Sequence, residues 1–241
     1  MSVDFKINSK YIYKSLSEKH KYPFAYDFHG ENDFSNYTIS LLASGHPKHS
    51  CIARKGLESE IFAPQIRVKM DKLYLSTMIA GLLVSDGKYL KGVLPQLNII
   101  WGKVLNNKGQ TSDDSIVSGL LWSLVKEVDL IVIYEDQIQE SSELEAVLKK
   151  VEEANVGMIV CAQNDISFMN CLQILPEKKD VHIKYDDQQM KYKYNEFYTL
   201  YGGNEYILAP PTVEATAWAT VKSLYQIKNS KLSFYDFCKK L

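Results

Sequence analysis

The pattern of apolar and polar residues predicts strands that alternate with helices along much of the chain. Four short, nearly continuous apolar runs are typical of strands buried on both faces of a sheet, at residues 37–42, 97–105, 129–134 and 158–161. Three stretches carry apolar residues at helical spacing, at residues 75–84, 116–125 and 144–151. The chain is therefore predicted to have an α/β fold.

The clearest unit lies between residues 111 and 165. The run Thr111-Ser112-Asp113-Asp114 supplies an N-cap and first-turn carboxylates for a helix, and the strand at 129–134 follows this helix directly. A capping box at 142–145 starts the next helix, after which the strand at 158–161 completes a βαβ unit with parallel strands. We expect a three-layer α/β fold, with helices on both faces of a central, mostly parallel sheet.

An antiparallel hairpin is expected to extend this sheet. Residues 181–185 and 190–194 alternate apolar and polar side chains around the polar turn at 186–189. Beyond the hairpin, residues 206–208 predict a short strand, and Thr212 is expected to cap a long helix.

The N-terminal segment, residues 1–38, is rich in aromatic residues and turn formers, with one helix predicted near residues 9–20. No linker separates it from the rest, so residues 1–241 are expected to form a single domain. A short helix is predicted at 232–240.

Composition and charge narrow the function classes. Hydrophobic residues make up 46% of the 241 residues, and 28 Lys and Arg nearly balance 29 Asp and Glu, so nucleic-acid binding is not expected. The longest apolar runs, such as residues 78–84, are far shorter than the roughly 20 residues that span a bilayer. Four cysteines without paired spacing, and a beginning without a signal-peptide pattern, predict a reducing, cytoplasmic compartment.

Several segments combine strand ends with glycine, threonine and asparagine in a fixed order. They read ISLLASG at 39–45, DKLYLSTMIAG at 71–81, MIVCAQN at 158–164 and APPTVEAT at 209–216. A Gly-x-x-Trp pair also lies in the helix at 116–125. These segments resemble the motifs of the subtilisin-like serine proteases, or subtilases, in the chain order that this family has. The resemblance implies the three-layer fold of that family.

The same resemblance implies that all three triad positions are replaced. The family strand ending in Asp-Ser/Thr-Gly puts Ala43 at the place of the aspartate, and Asp-x-x-Gly-His-Gly-Thr-His puts Leu75 at the place of the histidine. Either Val213 replaces the serine of Ser-Met-Ala-Thr, or its loop is deleted. Asn164 matches the asparagine of Ala-Gly-Asn, which donates to the oxyanion in the family.

Two further segments correspond to the family's peptide-binding strands. They are Lys108, Gly109 and Gln110 in one, and Tyr134, Glu135 and Asp136 in the other. Peptide binding through main-chain bonds would survive loss of the triad. The two carboxylates could favour a basic peptide, although strand ends are commonly acidic for solubility alone.

A serine protease needs a hydroxyl nucleophile, an imidazole and a carboxylate, and alanine, leucine and valine supply none of them. The resemblance therefore implies a pseudoprotease that binds a peptide or protein partner, as an accessory or regulatory subunit, with self-association left open. An aromatic group beside the hairpin is the second candidate contact surface, although aromatic residues also pack sheets. This group comprises Tyr185, Tyr192, Tyr194, Phe197 and Tyr198.

Other readings stay open. A divergent serine-type hydrolase could use His46 with a serine near Ser44 or Ser50, and a scaffold could use the aromatic surface alone. His46, His49 and Cys51 could begin a metal site, but without a second short-spaced pair a polar loop is favoured. The sequence has no GxxxxGK[ST] for a nucleotide and no GxGxxG for a dinucleotide, so we expect no cofactor.

Overall fold

The computed structural model describes residues 7–8, 33–52, 58–135, 138–163, 166, 170–177, 180–186, 188–194, 196–202, 205–229 and 234–239. The strands are β1 (Ile7–Asn8), β2 (Thr38–Ala43), β3 (Ser59–Ile61), β4 (Asn98–Lys103), β5 (Leu130–Tyr134), β6 (Gly157–Cys161), β7 (Leu172–Glu177), β8 (Asp180–Tyr185), β9 (Gln188–Tyr192), β10 (Tyr198–Leu200) and β11 (Glu205–Leu208). The helices are α1 (Leu75–Val84), α2 (Asp113–Val125), α3 (Ser142–Glu153), α4 (Pro211–Asn229) and α5 (Phe234–Cys238).

Within the described residues, eight strands form a central sheet in the order β3-β4-β2-β5-β6-β7-β8-β9. The first six are parallel, with Leu41 level with Trp101 on β4 and with Val132 on β5. β8 and β9 then run antiparallel, which gives the hairpin extension. Because β2 has β4 on one side and β5 on the other, the chain reverses its direction of travel across the sheet beside β2. In parallel sheets ligands bind near such a reversal, at the carboxyl ends of the strands.

Helices cover both faces of this sheet. Alternate residues of the strands, such as Leu41 and Val132, pack with α1 and α4 into one buried cluster. The intervening residues, such as Leu42 and Ile131, pack with α2 and α3 into a second cluster. Strands buried on both faces must be apolar throughout, which is why β5 reads LIVIY. The predicted three-layer α/β fold with a mostly parallel sheet is confirmed.

A second, smaller sheet has the order β1-β11-β10 and is antiparallel. It lies beside α1, where an added Cβ on Gly81 would come within 2.4 Å of Thr199 Oγ1 and 2.7 Å of the backbone nitrogen of Leu200. Only glycine allows the helix to approach β10 this closely. The strand predicted at 206–208 is β11 of this small sheet.

Most predicted elements agree with the structure to within a few residues, but two helix starts were predicted wrongly. α4 begins at Pro211, so Thr212 lies inside the first turn and does not cap it. Proline fits this first position because its missing N–H would have no intrahelical acceptor. For α3, the capping side chain belongs to Ser141, which accepts a hydrogen bond from the N–H of Leu144 at 3.3 Å. The helix predicted near residues 9–20 lies outside the described residues.

Candidate functional site

The candidate site lies at the carboxyl edge of the central sheet. The residues that follow β4, β5 and β6 meet there, because parallel strands end at the same edge. The first turns of α1 and α4 reach the same place through Leu75 and Thr212. Segments far apart in the chain thus form one cleft.

The cleft has two adjoining parts. An inner cavity of about 360 Å³ is lined by Leu75, Leu105, Gly109, Tyr134, Glu135, Cys161, Ala162, Gln163, Pro176 and Thr212. An outer groove of about 870 Å³ is lined by Pro64, Gln65, Asn106, Gly109, Gln110, Thr111, Ser112, Asp113, Asp114, Glu135, Gln139 and Gln163. Gly109, Glu135 and Gln163 line both parts, so the two volumes are contiguous.

The structure places the three positions that the resemblance assigns to the triad differently. Leu75 lines the inner cavity, whereas Ala43 and Val213 are fully buried in the apolar cluster against which Leu75 packs. Asn164 lies outside the described residues, and its neighbour Gln163 lines both parts of the cleft. Leu75 thus contributes an alkyl side chain to the cavity wall while Ala43 and Val213 lie in the core, and none of these three side chains can take or give a proton.

Two hydroxyl groups face each other at the inner cavity. The Tyr134 hydroxyl and Thr212 Oγ1 are 2.7 Å apart, and this hydrogen bond ties the end of β5 to the start of α4. Among the described residues that line the inner cavity there is no histidine or lysine. Either hydroxyl of this pair can donate to the other, and a neutral phenol is a poor general base.

The loop between β4 and α2 is closed by hydrogen bonds between its own residues. The side-chain Oδ1 of Asn106 accepts the N–H groups of Lys108 at 2.8 Å and Gln110 at 3.1 Å, and the backbone oxygen of Asn106 accepts the N–H of Gly109 at 3.1 Å. Gly109 makes this turn possible with its φ of 79°. Because these three donors are already bonded, they are not available to a peptide main chain.

Of the six predicted peptide-binding residues, four line the cleft: Gly109, Gln110, Tyr134 and Glu135. Lys108 is exposed at the tip of the loop and lines neither part, because the turn directs it outward. Asp136 lies outside the described residues. Glu135 is 3% exposed, and its N–H extends the β5–β6 ladder by donating to Cys161 at 3.0 Å. The sequence pattern predicts Asp113 and Asp114 only as carboxylates in the first turn of a helix, yet both line the outer groove.

A buried carboxylate holds the start of α1 and thereby the position of Leu75. Asp71 Oδ1 accepts the N–H groups of Leu73 and Tyr74, and its Oδ2 accepts both the N–H and the hydroxyl of Thr77 at 2.8 Å. Burial raises the pKa of Asp71, while these hydrogen bonds act in the opposite direction. Tyr74 takes the left-handed φ of 63° at the place where the subtilase pattern has glycine.

Lys103 lies near this carboxylate and is 1% exposed. Its ammonium donates to the backbone oxygen of Met70 at 2.8 Å and to Asn107 Oδ1 at 3.1 Å. Burial lowers the pKa of Lys103, and the charge of Asp71 raises it. The hydrogen bonds of Lys103 therefore join the loop before α1 to the loop after β4.

The predicted aromatic contact surface is largely internal. Tyr185, Tyr192 and Phe197 are 3–6% exposed and belong to the core cluster that also contains residues of α4. Tyr192 and the N–H of Phe197 both donate to the buried carboxylate of Glu214, each at 3.0 Å. Only Tyr194 and Tyr198 of this group remain partly exposed.

In the described part of the loop with two histidines, the side chains of Ser44, His46 and His49 make packing and backbone contacts. Ser44 is fully buried and its Oγ accepts the N–H of Ser76 at 3.1 Å, while His46 packs edge-on against Trp101. His49 Nδ1 accepts the N–H of Cys51 at 3.2 Å. No group of three or more metal-ligating side chains is found among the described residues.

Comparison with models of known protein families and with curated protein sequences finds no match for this chain. In the part of the chain that the structure describes, no helix is both long enough and apolar enough to cross a bilayer.

Proposed function

We propose that this protein is a catalytically inactive, subtilisin-like pseudoprotease that holds a peptide or a protein segment in the cleft, as an accessory or regulatory subunit. The observation that carries the proposal is the lining of the inner cavity. Leu75, Tyr134, Gln163 and Thr212 come from four separate segments, each at or beside a position that the resemblance assigns to the catalytic or substrate-binding machinery.

The chemistry of the cavity supports inactivity. In a serine protease, removal of the triad lowers kcat by on the order of 10⁶-fold. Here leucine stands where imidazole would be needed, and the hydroxyl of Thr212 is paired with a phenol. The thiol of Cys161 is 2% exposed and also lacks an imidazole among the described lining residues. Without an imidazole beside it, neither hydroxyl nor thiol is activated in the way that serine and cysteine proteases require.

The cleft keeps what binding requires. Its two parts are large enough for several peptide residues, and they lie at the edge where parallel sheets bind ligands. The closed turn at Asn106 changes the expected mode of binding, because the loop from Lys108 to Gln110 has no free N–H to offer. Recognition then depends chiefly on side chains of the cleft.

A fluorophosphonate probe tests the inactive state. We expect no labelling of the wild-type protein or of a Thr212→Ala variant, with an active serine protease labelled in parallel as the control. The reason is that the probe reacts only with a nucleophile activated by a base. Stoichiometric labelling that disappears in Thr212→Ala would refute the proposal and identify a threonine hydrolase.

The alternative function is a divergent serine-type hydrolase with displaced active residues. The hydroxyl pair of Tyr134 and Thr212 is the observation that favours it, since a nucleophile and a partner at 2.7 Å have the geometry of general-base catalysis. Ser44 fits this role poorly because it is fully buried. The labelling experiment separates the two functions directly.

A further inference from the structure

The two parts of the cleft differ in chemistry. The inner cavity is walled mainly by apolar side chains, including Leu75, Leu105, Ala162 and Pro176. The outer groove is lined almost entirely by polar side chains, and three of them are carboxylates: Asp113, Asp114 and Glu135. None of the described residues that line either part is a lysine, an arginine or a histidine.

This asymmetry restricts what can bind. An apolar side chain would remove water from the inner cavity, which stabilises binding in proportion to the apolar area that is buried. A cation would be attracted to Asp113 and Asp114 in the groove, whereas an acidic side chain would be repelled by them, since the described lining residues include no lysine, arginine or histidine. Glu135 lines both parts, so the apolar lining of the inner cavity and the acidic lining of the outer groove adjoin there.

The closed turn makes these side-chain contacts decisive. In a cleft that binds peptides by strand addition, main-chain bonds supply affinity for almost any sequence. Here the N–H groups of Lys108, Gly109 and Gln110 are bonded within the turn. A ligand therefore gains little from its backbone on this side, and its selectivity must come from side chains.

We infer that the cleft selects an extended peptide segment with one apolar anchor, seated in the inner cavity, next to lysine or arginine side chains in the outer groove. This inference rests on the proposed function, because it assigns a ligand class to the same cleft. Successive side chains of an extended chain point to opposite faces, and residues i and i+2 lie about 6.6 Å apart on the same face, so side chains of one segment can reach both volumes.

Fluorescence anisotropy with three labelled nonapeptides tests the inference. One peptide carries a central leucine flanked by lysines, the second has glutamates in place of the lysines, and the third keeps the lysines but has glycine in place of leucine. We expect the leucine–lysine peptide to bind at least about tenfold more tightly than either of the others in dilute buffer. The advantage over the glutamate peptide should shrink at 1 M salt, where the Debye length is about 3 Å.

Variants of cleft residues test which side chains bind the peptide. Asp113→Asn combined with Asp114→Asn should weaken the leucine–lysine peptide by roughly five- to tenfold. Glu143→Gln, which removes an exposed carboxylate from the first turn of α3, is the matched control and should change nothing. Gln163→Trp should abolish binding of every peptide, because Gln163 is exposed and lines both parts of the cleft.

The possible results separate the selectivity of the cleft for one peptide from the binding of peptides in the cleft as such. Equal binding of all three peptides, lost in Gln163→Trp, would overturn the selectivity and leave the cleft as a binding site. Preference for the glutamate peptide would overturn the selectivity as well. Binding that persists in Gln163→Trp, or no binding of any peptide, would count against the proposed function itself and against the inference with it.

Discussion

Replacing Asp71 by alanine is expected to lower the free energy of unfolding by about 3 to 5 kcal/mol. The change leaves the N–H groups of Leu73, Tyr74 and Thr77 and the Thr77 hydroxyl without their acceptor, in a region with little access to water. It also removes the negative charge that favours the protonated state of buried Lys103. Urea denaturation at pH 7 measures the loss.

Two controls make this test specific. Asp71→Asn keeps one acceptor oxygen and should retain part of the stability, so its loss should lie between wild type and alanine. Asp33→Ala removes an exposed carboxylate that accepts one backbone N–H, and its effect should be much smaller. If Asp71→Ala is no more destabilising than Asp33→Ala, Asp71 does not hold the start of α1, and the position of Leu75 needs another explanation.

The second large effect is a loss of stability in acid that depends on His49. Burial lowers the pKa of His49 to about 4 from its ordinary value of 6.5. The ring is 4% exposed, and its Nε2 has no hydrogen-bond partner among the described residues. It packs against Tyr206, with ring centroids 5.8 Å apart.

The direction of this change in stability follows from the difference in proton binding between the unfolded and the folded states. Between pH 6.5 and pH 4 the unfolded histidine takes up a proton and the folded one does not, so the unfolded state gains stability as the pH falls. The contribution of His49 to the free energy of unfolding is complete above pH 6.5 and falls by about 3 kcal/mol by pH 4.

Urea denaturation of wild type and His49→Phe at several pH values isolates this contribution. Phenylalanine keeps a ring of similar shape but loses the bond from Cys51, which costs about 1 kcal/mol at every pH. The raised pKa values of Asp71 and Asp129 act in the opposite direction, but they are common to both proteins and cancel in the difference. The two stabilities should converge or cross as the pH falls, and a difference independent of pH would contradict the buried, neutral state of His49.

The layered fold could be predicted because its signals are local. β5 and β6 are continuous apolar runs, and α2 and α3 have serine caps before amphipathic stretches. β7 could not be predicted in this way, since Pro176 interrupts it. That proline is tolerated because β6 pairs with β7 only from Leu172 to Ile174, so the missing N–H breaks no bond with β6.

The site was predicted only in part, because its geometry is tertiary. The motif order pointed to Leu75, Gly109, Tyr134 and Glu135, and these four residues do line one cleft. The pairing of Tyr134 with Thr212 joins residues 78 positions apart, and no local pattern signals it. The closed turn at Asn106 did have a local signal, because residues 106–109 read Asn-Asn-Lys-Gly, and asparagine and glycine are both typical turn residues, which argues against an open binding strand.

Hydrogen exchange of the full chain with and without the leucine–lysine peptide tests most directly whether this cleft is the binding site. We expect exchange to slow at the first turn of α4 around Thr212, at the end of β6 around Gln163, and in the loop from Val104 to Ser112. Segments around the core aromatics Tyr185 and Tyr192 should be unchanged. Slowing confined to the aromatic segments, or no slowing anywhere at saturating peptide, would contradict the account.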